Sequence, residues 1–254
     1  MCVLAFAWRA HPRWRLVLAG NRDELHARPA AALARWTEPD HLLAGRDLEA
    51  GGTWLGVSEH GRLAVITNLR GHGPPAPGRP SRGALATDLL ARNGGHADAT
   101  TADLAACNPL NLIYAEAGEA WFLTNRPHTA RTRLARGLYG LSNGTLDEPW
   151  PKTLQLKAAL LDWIVHADDD PAPLLDTLAS RTLPDFGRAP DLPSEVPLEP
   201  GLSPLFIRHP VYGTRCSTIV TVDAHGAGRI IERRFAADGA VTGQTMLDFR
   251  WPDG

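Results

Sequence analysis

Residues Cys2 to Trp8 are apolar at every position, and Trp14 to Ala19 at every position but Arg15. A strand with one wet face alternates apolar and polar side chains, so segments this apolar need cover on both faces. His11-Pro12 between them suits a turn and leaves no room for a crossover helix, so the two strands pair antiparallel. This doubly buried hairpin is the tightest constraint on the fold. It demands a layer of structure above it and another below.

The rest of the chain supplies candidates for those layers. Thr53 to Ser58 and Arg62 to Thr67 are β-rich and flank His60-Gly61, and Asn111 to Glu116 and Glu119 to Thr124 flank Gly118. Gly137 to Ser142, Cys216 to Val222 and Arg229 to Phe235 read as further strands, the last two joined through His225-Gly226. Helices are expected at Ser81 to Arg92, where Leu85, Leu89 and Leu90 share a face, and at Pro151 to His166, where Leu156, Leu160, Trp163 and Ile164 do. Shorter ones are expected at Leu174 to Ala179 and at Thr101 to Ala106, the latter capped by Thr100 and Asp103. Gly71 to Pro80 is too rich in proline and glycine for either element. Pro184 to Pro210 lacks periodicity and reads as a lid or a long excursion. Strands joined by short turns, with helices segregated from them, define an α+β protein of two stacked, mainly antiparallel sheets with helices outside. With no internal repeat and no compositional break, residues 1–254 are expected to form one domain.

Composition excludes several function classes. A net charge of −2, from 26 basic and 28 acidic residues, gives no electrostatic footprint for nucleic acid. No apolar run approaches the ~20 residues of a membrane span, so membrane insertion is not expected. Cys2, Cys107 and Cys216 form no CxxC pair, which speaks against a disulfide framework or thiolate zinc site and for a reducing cytoplasm. No HExxH or P-loop is present, and no metal site is expected.

Cys2 is the most informative single residue. A small side chain after Met1 permits removal of the initiator, which would put a thiol and a free α-amine on one residue. The amine titrates near ~7.7–8.0 and can serve as a base for the thiol. The ordinary alternative is a small buried apolar residue. Asn21-Arg22-Asp23-Glu24 follows the second strand and comes near Cys2 through the hairpin. Asp23 can orient the amine, and Arg22 can lower the thiol or hold a substrate carboxylate; a solvated turn is the alternative. Asn68 and Asn143 end apolar strands, where an amide can serve an oxyanion or simply make a turn. Arg215 opens a late strand, and Trp54 either joins the core or walls a pocket.

These blocks together resemble the NRDE family, the transport-and-Golgi-organisation type. The resemblance is carried by Met1-Cys2, Gly20-Asn21-Arg22-Asp23-Glu24, Arg28-Pro29, Gly51-Gly52-Thr53-Trp54-Leu55-Gly56, Thr67-Asn68, Leu141-Ser142-Asn143 and Gly213-Thr214-Arg215. That family in turn resembles the N-terminal-nucleophile hydrolases of the penicillin V acylase and conjugated bile salt hydrolase group. The resemblance implies a four-layer αββα sandwich and a cysteine nucleophile that attacks a linear amide. It places Cys2, Asp23, Asn68, Asn143 and Arg215 as catalytic and implies no cofactor; Asn21, Arg22 and Trp54 are expected to contact a small-molecule substrate. One position departs from the group. Its arginine three residues before the aspartate is Gly20 here, and the nearest cation, Arg22, alternates to the face opposite Asp23, which Asn21 shares. A second reading, also implied by the family, is a non-enzymatic carrier of haem or of a lipid or acyl-CoA in the same cleft.

Overall fold

The computed structural model describes residues 2–73, 75–99, 102–116, 118–166, 169–186 and 204–252. The hairpin is formed by β1 (Val3–His11) and β2 (Trp14–Leu25), with Val3 opposite Asn21 and Phe6 opposite Leu18. It lies inside a six-stranded sheet with β10 (Gly137–Leu141), β11 (Tyr212–Asp223), β12 (Ala227–Phe235) and β13 (Val241–Arg250). The spatial order is β10-β1-β2-β11-β12-β13, so this sheet interleaves residues from both ends of the sequence. A second, seven-stranded sheet takes the intervening strands in sequence order. These are β3 (Ala30–Arg35), β4 (Leu42–Asp47), β5 (Leu55–Ser58), β6 (Arg62–Asn68), β7 (Leu110–Glu116), β8 (Glu119–Thr124) and β9 (Ala130–Arg133). Every strand pairing among the described residues is antiparallel.

Three buried clusters separate four layers. Leu4, Phe6, Leu16 and Leu18 from one sheet meet Leu55, Leu63, Val65 and Ile113 from the other. The alternate residues of the hairpin, Val3, Ala5, Val17 and Ala19, pack under α2 (Pro151–His166) and α3 (Ala172–Leu178). The outer face of the seven-stranded sheet is covered by α1 (Arg82–Ala91) through Leu85, Leu89 and Leu90. Each of these leucines is wholly buried, worth roughly 1.5–3 kcal/mol apiece. The fold is thus a four-layer αββα sandwich. This is why the hairpin has no polar face: Leu4, Phe6, Trp8, Leu16 and Leu18 face a sheet, and Val3, Ala5, Ala7, Val17 and Ala19 face helices.

Several boundaries differ from those expected. β2 continues through Asn21-Arg22-Asp23-Glu24 to Leu25, because β11 pairs with it along that whole length. β3, β4, β9 and β13 carry no strong apolar run, and their hydrogen-bonded neighbours hold them in place. The helix expected at Thr101 to Ala106 is a single 3₁₀ turn, Leu104–Ala106, capped by Asp103; Thr100 and Thr101 lie outside the described residues. So does most of Pro184 to Pro210. No helix among the described residues is long and apolar enough to cross a membrane.

Candidate functional site

β1 starts opposite Asn21, where the polar tetrapeptide of β2 begins, and β6 closes on Asn68 at the same end of the sandwich. A cleft of about 340 Å³ opens there. Its lining includes Cys2, Arg22, Asp23, Trp54 and Asn68. Cys2 is held at both main chain and side chain. Its carbonyl accepts from Ser142 Oγ at 2.7 Å, and the Asp23 backbone N–H bonds its thiol. Burial pushes the Cys2 thiol up, against the lowering effects of Arg22 and that N–H.

Strand alternation sorts the tetrapeptide. Arg22 lies on the inter-sheet side with its guanidinium 4.3 Å from the Trp54 ring centre. Asp23 lies on the helix side. Its Oδ1 accepts from Thr214 Oγ1 at 2.7 Å and its carbonyl from Tyr212 at 2.8 Å. Burial raises Asp23 above the usual carboxylate range, opposed by the charge of Lys152 and the Thr214 bond.

Asn21, expected at the substrate, has its amide bonded to the surrounding frame. Its Nδ2 donates to the carbonyls of Leu178 and Leu205, both at 2.8 Å, and its Oδ1 accepts from Ser217 at 2.6 Å. It shares Asp23's face, and that face is roofed by the helical layer. Arg215 is not among the residues that line the cleft. The register between β11 and β2 slips between Thr214 and Cys216, so Thr214 faces Asp23 while Arg215 falls out of register. Its Nη1 donates to the carbonyls of Leu25, His26 and Arg28 at 2.8, 3.1 and 3.1 Å, clasping the chain beyond β2. Asn143 stands one step back from the cleft. It is 1 % exposed, and its Nδ2 donates to the Asn68 carbonyl at 2.8 Å. The Asn68 side chain is exposed on the cleft wall.

Sequence reasoning missed Lys152. It is 2 % exposed, and its Nζ has no hydrogen-bond partner among the described residues. Burial lowers it to about 8, while the charges of Asp23 and Cys2 hold it up. Two signals pointed to it. Lys152, Leu156, Leu160 and Ile164 form one i, i+4 stripe, so the lysine belongs to the buried face. A cation in a helix's first turn also opposes the helix dipole. Arg82 repeats the second signal in α1 and lines the cleft with Arg79. Among the described residues, no group of three or more histidine, cysteine or carboxylate side chains could hold a metal ion.

The family model for Transport and Golgi organisation 2 matches residues 1–237. The chain belongs to this family. The Transport and Golgi organization protein 2 homologs of Bos taurus and Homo sapiens are each 33 % identical to it, over 92 % of this chain and 92 % of theirs. Among solved structures, the C2A mutant of conjugated bile acid hydrolase from Clostridium perfringens is similar at 9 % identity. That match has a TM-score of 0.49 and covers 100 % of this chain and 98 % of that one.

Proposed function

We propose that the protein is an N-terminal-nucleophile amidohydrolase that cleaves a linear C–N amide at Cys2. The observation that carries this is the setting of the Cys2 thiol: it opens on a cleft, yet burial holds it in the protonated form. Such a thiol needs a base. Asp23 is a poor one here, because it lies on the opposite face of β2 and spends Oδ1 on Thr214. The α-amine that Met1 removal would free is the right base at the right distance, since it sits on the nucleophile's own residue.

In this mechanism the amine takes the Cys2 proton as sulfur attacks the amide carbonyl, and it then protonates the leaving nitrogen. The acyl group left on sulfur is hydrolysed by water in a second step. Asp23 holds the ammonium form, with Thr214 fixing the carboxylate and Lys152 balancing its charge. The Asn68 amide, braced at its carbonyl by Asn143, donates to the tetrahedral oxyanion. Arg22, packed on Trp54, keeps positive potential beside the sulfur.

The test is an intact mass of protein tagged only at its C-terminus, before and after a thiol-reactive amide or lactone probe. The expected result is a chain lighter by one methionine, labelled once, at Cys2. The reading fails if Met1 is retained in a host with ample methionine aminopeptidase, or if Cys2→Ala turns over an amide substrate as fast as the wild type. Saturable ligand binding without turnover would favour the carrier reading.

A further inference from the structure

Two guanidinium groups on one wall of the cleft make no direct carboxylate contact among the described residues, although the charge of Glu24, which also lines the cleft, acts on Arg82. Arg79 and Arg82 lie on the segment that leads into α1, and both line the cleft. Arg79 Nη1 donates to the carbonyls of Ala105 and Cys107 at 3.3 and 3.2 Å, and Arg82 Nη1 to that of Pro109 at 3.1 Å. Neither forms an ion pair among the described residues. The cleft's other arginines differ. Arg28 is bound to Asp47 at 2.7 Å and Glu49 at 3.2 Å. Arg22 leans on Asp47 and Glu24 at 3.7 and 3.8 Å.

The same wall is the start of a helix. Ser81, Arg82 and Gly83 line the cleft as the N-cap and first turn of the ten-residue α1. The earliest N–H groups of a helix have no acceptor within it, and the dipole there is positive. Placing Arg82 at that point adds like charge to like. The arrangement is held firmly: a Cβ on Gly52 would fall 2.2 Å from the Gly83 carbonyl carbon, so only glycine lets the loop before Trp54 press on the turn.

Arg22 provides an independent sign. It lines the same cleft, is only 6 % exposed, and its Nη1 has no hydrogen-bond partner among the described residues. A buried donor left unmade is costly, and a charged one more so. An acceptor arriving from the cleft would satisfy it.

We propose that this part of the cleft is a subsite for a compact oxyanion, a carboxylate or a phosphate, held by Arg82, the first turn of α1 and Arg22. The proposal rests on reading the cleft as the substrate site of Cys2, and it gives that substrate a class: an amide that carries an anionic group on one side of the scissile bond. Guanidinium forks and helix N-terminal N–H groups both match such oxygens.

The test uses alkylation of Cys2, which needs no turnover. Iodoacetate carries the anion and iodoacetamide does not. Labelling is read at Cys2 by mass spectrometry, because Cys107 and Cys216 are buried. Arg82→Gln should lower the iodoacetate-to-iodoacetamide rate ratio about fivefold or more, an effect of roughly 1 kcal/mol for one nearby charge. Arg82→Lys should lie between. Any shift in the thiol itself cancels in the ratio. Inorganic phosphate and succinate, at matched ionic strength, should slow iodoacetate labelling of the wild type but not of Arg82→Gln. The better protector tells phosphate from carboxylate. If Arg82→Gln fails to fold, Arg82→Lys and protection of the wild type decide the matter. An unchanged ratio, or no protection by either anion, overturns the proposal. An absence of amidase activity with the ratio shift intact would remove the hydrolase reading and leave the subsite.

Discussion

The strand β6 begins at Arg62 and ends at Asn68, and its two ends treat charge in opposite ways. At the Arg62 end the ions are closed on one another. Arg62 Nε donates to Glu116 at 2.9 Å and its Nη1 to the Leu90 carbonyl at 2.7 Å, and the second Glu116 oxygen accepts from Tyr114 at 2.7 Å. At the Asn68 end, Lys152 Nζ and Arg22 Nη1 are buried without hydrogen-bond partners among the described residues. The contrast separates ions closed on one another from ions with donors left unmade. Unmade polar contacts are rare in native proteins, and here two of them lie at the cleft end of the sandwich.

The sharpest way to break the comparison is to open the closed end. Glu116→Ala should cost about 3 kcal/mol in a urea unfolding series, because it leaves Arg62 buried without its carboxylate. Cys2 alkylation should not change. A loss under 1 kcal/mol would show that this cluster is not structural. At the cleft end the sign should reverse. Lys152→Met replaces an unpaired ammonium with an apolar chain, and stability at pH 7 should rise by up to about 3 kcal/mol, the equivalent of a fall from 10.5 to about 8. Asp23 loses a cation in this variant, so the gain should fall short of that bound. The direction with pH follows from linkage. The folded lysine titrates below the unfolded one, so the unfolded chain holds more protons between about 8 and 10.5. Wild-type stability should therefore climb across that window, and Lys152→Met should lack the climb. A pH-independent difference between the two would mean that Lys152 is not the source.

The layers were legible because burial on both faces leaves a plain mark in the first hairpin, and helix periodicity marks α1 and α2. The edge strand β13 was not legible, since its residues alternate between exposed and half-buried and leave only Phe249 well covered. The site was legible in part. Cys2, Arg22, Asp23, Trp54 and Asn68 come together because the ends of strands gather them at one end of the sandwich. The place of Arg215 was not legible, because a bulge moves every later side chain by one step and no alternation rule foresees where a bulge falls. Lys152 was hidden for a different reason. A lysine is ordinarily read as surface, and only its place on the leucine stripe of α2 gives it away.

The comparison narrows to two asparagines at the cleft end, Asn21 and Asn68, which the sequence alone does not tell apart. Asn21 spends its amide on Leu178, Leu205 and Ser217, tying β2 to the helical layer. Asn21→Ala leaves those buried groups unmatched and should cost about 2 kcal/mol. Asn68 contributes only its carbonyl to the frame, through Asn143. An alanine keeps that carbonyl, so Asn68→Ala should stay within about 0.5 kcal/mol of the wild type. What Asn68→Ala should lose is transition-state stabilisation, about a hundredfold in kcat with little change in KM, the signature of an oxyanion donor. Equal thermal melts with an unchanged kcat would return Asn68 to the class of ordinary cleft residues. A large fall in melting temperature would show instead that its side chain carries load that the hydrogen bonds do not reveal. Stability and turnover must therefore be measured on the same two variants, because only their opposite patterns separate a residue that builds the cleft from one that works in it.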